Sequence, residues 1–76
     1  MATLVSALQT EFTPAAGDFI AQSTGGISSL LRKNSAGASF AAVGEIDGAA
    51  IVANPVSGAV YKFDIRSGAP VVQADQ

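Results

Sequence analysis

Apolar positions in this chain come in short bursts separated by small and turn-forming residues. The clearest burst is Ala59 to Arg66, AVYKFDIR, where Tyr61, Phe63 and Ile65 alternate with Lys62, Asp64 and Arg66. A period of two places the first three on one face of a strand, and the charged residues, with Val60, on the other. Around it, turn signals recur at Pro14 to Gly17, Thr24-Gly25-Gly26, Asn34 to Gly37, Asp47-Gly48, Asn54 to Gly58 and Ser67-Gly68. Gly supplies positive φ, Asn and Asp tolerate it, and Pro fixes the first turn residue. The segments between have the length of strands, about 5 to 9 residues. The pattern predicts an all-β fold, a compact small antiparallel β-sandwich or barrel of about six to seven short strands. Asp47-Gly48, between GEI and AAIVAN, predicts a tight hairpin, and PVVQA a last short strand.

Leu30 to Gly44, LLRKNSAGASFAAVG, poses a choice between a basic ligand loop and a hairpin. Arg32 and Lys33 are adjacent, so on a strand they point to opposite faces and make a poor joint patch. Asn34 to Gly37 reads as the connection of a hairpin, and Phe40 is expected to return apolar bulk to the core under Leu30 or Leu31. Arg32 is left free to pair with a carboxylate, in this subunit or another. The start of the chain stays open: Leu4, Val5, Leu8 and Phe12 fit a strand, or a helical face with Thr3 as N-cap. Its short length favours a strand. Residues 1–12 are thus an N-terminal arm or first strand, and residues 13–76 a single small β domain.

Composition changes this picture in one respect. The chain has 76 residues, of which 49% are apolar, but fifteen are Ala, which buries little area. A domain this small hides only about 60% of its unfolded surface and usually relies on disulfides, a metal or oligomerisation. There is no Cys and no His, which removes disulfides and the usual zinc ligands. Oligomerisation is the remaining support. Charged residues are only 13% of the chain, about half the usual share, which fits a surface partly covered by a partner. A net charge of −2 argues against nucleic acid as a partner. No apolar run reaches the roughly 20 residues of a membrane span, and MATLVSALQTEF lacks the basic start of a secretion signal. The expectation is a chain with no membrane partner, made and used without export.

Candidate chemistry is sparse. Without His or Cys, the familiar acid–base and nucleophilic triads are missing. The carboxylates Glu11, Asp18, Glu45, Asp47, Asp64 and Asp75 fall mostly at turns or on wet strand faces, where charge serves solubility. Thr24-Gly25-Gly26 and Ser35-Ala36-Gly37 lack the Lys-Ser/Thr ending of a phosphate loop. These residues predict no enzyme, no cofactor and no metal site.

A resemblance adds a functional expectation. LLRKNSAGASFAAVG resembles a pattern in small structural proteins of tailed bacteriophages, where a strand with Leu and Arg leads through a Gly-containing turn to an aromatic and Val. Phe40 stands here where Trp is more usual. NPVSGAVYKF, Asn54 to Phe63, is similar to the Pro-x-x-Gly turn and aromatic-basic-Phe strand of that pattern. DFIAQSTGG and SGAPVVQAD resemble its opening and closing strands. The likeness covers about Phe19 to Ala74. It implies a β-sandwich or barrel module of a virion, with no enzymatic role. The favoured role is a head decoration (cement) protein: a homo-oligomer, trimer favoured, on the capsid surface, made in the host cytoplasm, binding the major capsid protein. A tail, baseplate or fibre accessory, or a host-surface glycan-binding module, is the alternative. The expected partner contacts are Leu4 and Val5 in the N-terminal segment, and Asn34 and Val56 in exposed turns.

Overall fold

The computed structural model describes residues 2–55 and 57–76. Among them, four strands form one antiparallel sheet: β1 (Thr3–Val5), β2 (Phe19–Lys33), β3 (Ala41–Val52) and β4 (Val60–Asp75). Their order across the sheet is β1-β4-β2-β3. The all-β, antiparallel class is the one that the pattern predicts. The strand count is not, for there are four strands instead of six or seven.

The difference has a physical cause. Thr24-Gly25-Gly26, Asp47-Gly48 and Ser67-Gly68 do not end strands; they lie inside β2, β3 and β4. They also lie beside one another, with Gly26 opposite Gly68 and Ser23 opposite Gly48. The pairing register shifts at this line on both sides of β2. Gly25 and Gly68 hold φ of 83° and 70°, and a Cβ on Gly26 would meet the Ser67 carbonyl oxygen at 2.5 Å. The glycines therefore form a crease across the sheet, where strands bend and continue. Asp47-Gly48, expected to turn a hairpin, bends one strand.

The crease brings the ends of the long strands together. A straight strand of 16 residues, the length of β4, would run about 53 Å, yet the longest dimension of the molecule is 30 Å. Phe19 pairs with Val52 at one end of β2, and Arg32 pairs with Tyr61 at the other. The Phe19 and Tyr61 rings nevertheless touch edge to face, with centroids 5.0 Å apart. The core is the space between the two halves. It takes Leu30, Ile46, Tyr61 and Phe63 from one half and Phe19, Ala21, Val72 and Ala74 from the other.

Phe12 completes this core from outside the long strands. It stacks on Tyr61 and Phe63 and meets Phe19 edge to face. Its backbone exchanges two hydrogen bonds of 2.8 Å with Tyr61. Asn54, 1% exposed, anchors the link from β3 to β4. Its amide donates to the Ala15 carbonyl at 2.7 Å, and its side-chain oxygen accepts from the Tyr61 hydroxyl at 3.1 Å.

Three side chains depart from the alternation pattern. Tyr61 and Phe63 are buried as expected, but Ile65 is 54% exposed, because it stands at the crease where the register shifts. Val60, on the face assigned to charge, is buried. Phe40 does not return to the core. It lies outside, with the Lys33 and Lys62 ammonium groups 4.7 Å and 4.6 Å from its ring centroid. The two ammonium groups hold the half-buried ring there by cation–π attraction.

Candidate interaction surface

The sheet has two edges, and they differ. Residues 2–12 run along the outer side of β4. Ala2 and Gln76 exchange backbone hydrogen bonds of 3.0 Å, Thr3 and Val5 pair with Asp75 and Ala74, and the Gln9 amide donates to the Phe63 carbonyl at 2.9 Å. The Gln9 side chain also donates to Asp64. The other edge is β3, which has no strand on its outer side among the described residues. It is 12 residues long. A strand in this position presents a row of unpaired N–H and C=O groups.

A cleft of about 310 Å³ opens beside β3, on the core side of the sheet. The bend in β3 shapes it: Val43, Gly44 and Ile46 come from before the crease, and Ala50, Ile51 and Val52 from after it. Leu30, Arg32 and Tyr61 supply the wall on the other side, and Ala53 completes the lining. Ile46 and Leu30 are buried, whereas Val43 and Ile51 are 53% and 73% exposed. The cleft is thus mostly apolar, with an open apolar rim.

Arg32 is its charged group. Arg32 and Lys33 do point to opposite faces. Lys33 goes outward and pairs with Glu11 at 3.5 Å. Arg32 goes inward, its guanidinium carbon 5.7 Å from the Tyr61 ring centroid. Its Nε is buried and donates to nothing among the described residues. The ion pairs among those residues are Lys33–Glu11 and Arg66–Glu45, so the carboxylate partner left open for Arg32 is not supplied from within the described chain. A buried polar donor without an acceptor is costly.

The expected contact residues fall elsewhere. Val5 is in the core, 7% exposed, and Leu4 is partly buried against it. Asn34 is exposed at the start of the β2–β3 connection. Val56 lies outside the described residues. Val43 and Ile51 were not among the expected contacts; for Ile51 the signal available was the apolar AAIVAN run, which is longer than one buried face needs. Among the described residues, no three carboxylates, histidines or cysteines stand close enough to hold a metal. Comparisons with protein-family models, with curated proteins and with solved structures found no match to this chain.

Proposed function

We propose that this chain is a structural assembly module without enzymatic activity, and that its particular role is that of a head decoration protein of a tailed phage. In this reading its creased sheet is a small sandwich, its copies associate as a trimer, and the oligomer binds major capsid protein in the assembled shell. The observation that carries the assembly reading is the bare β3 edge with exposed Val43 and Ile51, on a domain whose other edge is covered. Such an edge offers main-chain pairing for geometry and apolar area for affinity. A protein that binds the assembled shell and not its free subunits stabilises that shell by mass action. The phage assignment rests on the sequence resemblance.

The test is sedimentation velocity of the purified protein over a wide dilution range, followed by co-sedimentation with mature empty shells of a tailed phage. A stable trimer that pellets with shells and raises their melting temperature is the expected result. A monomer at every concentration that stays in the supernatant overturns the decoration role. Retention on tail or fibre assemblies, with no affinity for shells, replaces it with a tail accessory.

A further inference from the structure

We propose that the cleft beside β3 receives an extended polypeptide segment of a partner protein, carrying a carboxylate side chain among β-branched residues, with Arg32 as the carboxylate's partner. This deepens the assembly reading, on which it rests for the source of the segment.

Three independent features converge on that chemistry. The first is charge. Arg32 brings a guanidinium to the core side of the sheet, its Nε is excluded from solvent, and no acceptor among the described residues meets it. The guanidinium lies over the Tyr61 ring, and its planar fork matches a carboxylate through two parallel hydrogen bonds. The second is the wall. Leu30 and Ile46 form a buried apolar floor, and Val43 and Ile51 an exposed apolar rim. The volume of about 310 Å³ suits a few side chains. The third is the edge. β3 borders the cleft and has no neighbour on its outer side among the described residues, so its main chain is open to an added strand. An inorganic anion would satisfy Arg32 and leave the walls wet. A fatty carboxylate would satisfy Arg32 and the walls but leave the edge unpaired. A peptide strand with one acidic side chain satisfies all three.

The experiment uses the whole chain and two acetylated, amidated heptapeptides that alternate Val and Thr, one with a central Glu and one with a central Gln. Binding is read by titration calorimetry, and contact by the ¹⁵N–¹H resonance of Arg32 Nε. The Glu peptide is expected to bind at least about tenfold more tightly than the Gln peptide and to shift the Arg32 Nε resonance. Arg32→Gln should erase the preference, and Arg32→Lys should keep part of it. If Arg32→Gln fails to fold, Ile51→Thr, at an exposed rim position, should weaken both peptides about equally and leave the fold intact. Equal affinity for the two peptides, an unmoved Nε resonance, or no binding at millimolar peptide overturns the proposal. Hexanoate binding as tightly as the Glu peptide overturns it in favour of a small apolar carboxylate. Self-association that Arg32→Gln abolishes overturns it in favour of a second copy of this chain. Shell binding that persists when peptide binding fails leaves the assembly role standing and removes only this inference.

Discussion

The two edges of the sheet solve the same problem in opposite ways. On the β4 side, a three-residue strand and the loop after it cover the outer backbone, and Phe12 fixes that cover by stacking on Tyr61 and Phe63. On the β3 side, twelve residues stand without a neighbouring strand among the described residues. Exposed edges promote wrong pairing, and folded proteins blunt them with charge, bulges or a covering segment. The β4 edge uses a covering segment. The β3 edge uses Glu45, Asp47 and the register shift opposite Leu30 and Leu31. These devices interrupt the edge without hiding it. The contrast separates an edge closed by the chain itself from one that the described residues leave open.

The strongest way to break the contrast is to open the closed edge. Phe12→Ala removes a ring in contact with three other aromatics, and should cost about 3 to 5 kcal/mol. That is a large share of the stability of a domain of this size. Denaturant unfolding checks the magnitude. Hydrogen exchange checks the location, because the Tyr61 amide, which donates to the Phe12 carbonyl, should lose protection before the β2–β4 ladder does. A loss under about 1 kcal/mol would show that residues 2–12 hold their place without this ring.

The crease comes next, because both edges owe their form to it. At Gly26 a Cβ would lie 2.5 Å from the Ser67 oxygen and 2.9 Å from both the Ala69 nitrogen and Pro70 Cδ. Two of these neighbours are backbone atoms that cannot step aside. Gly26→Ala should therefore cost about 2 to 3 kcal/mol in thermal or chemical unfolding. Gly37→Ala, where a Cβ meets nothing within 4 Å, should stay within about 0.5 kcal/mol of the parent.

That pair of glycines also shows what the sequence disclosed and what it hid. The β4 alternation from Tyr61 to Phe63 was legible because burial on one face leaves a period of two. The Asn34 to Gly37 hairpin was legible because polar small residues sat between two apolar runs. Gly25-Gly26, Asp47-Gly48 and Ser67-Gly68 were legible as unusual backbone, but not as a crease. Positive φ serves a chain reversal and a bend within a strand equally well. Only the pairing of Gly26 with Gly68 decides between them, and pairing is a property of the folded chain. Phe40 misled for a related reason. Its size suggested core, while the two ammonium groups that hold it outside come from Lys33 and Lys62, far apart in sequence. The cleft was illegible because it needs both halves of β3 to meet Arg32. Sequence could expose Arg32 as a cation free to take a carboxylate, in this subunit or another, but not the apolar walls around it.

A smaller effect tests the link that carries the chain from the open edge to the closed one. Asn54 is buried between them, and its side-chain oxygen accepts from the Tyr61 hydroxyl. Tyr61→Phe keeps the ring in the aromatic cluster and strands that oxygen. The expected cost is about 1 to 2 kcal/mol in denaturant unfolding, with the cluster preserved. Parity with the parent would mean that another donor reaches Asn54.

The smallest stability effect bears most directly on why one edge is left bare. Glu45 holds Arg66 at 3.1 Å, but both side chains are more than half exposed, so the ion pair is worth under about 0.5 kcal/mol after screening. Glu45→Val removes it and adds a β-branched residue with better strand propensity, so unfolding should barely change. Its effect should appear in solution behaviour. Glu45 is one of two acidic residues along the bare edge, and an apolar residue there removes a barrier to edge-to-edge pairing. Light scattering across concentration should show the variant growing beyond the mass of the parent protein while its melting temperature holds. A variant that scatters like the parent would shift the protection onto Asp47 and the irregular backbone at Val43. The open edge would then be guarded without Glu45, whose charge would be free to serve recognition.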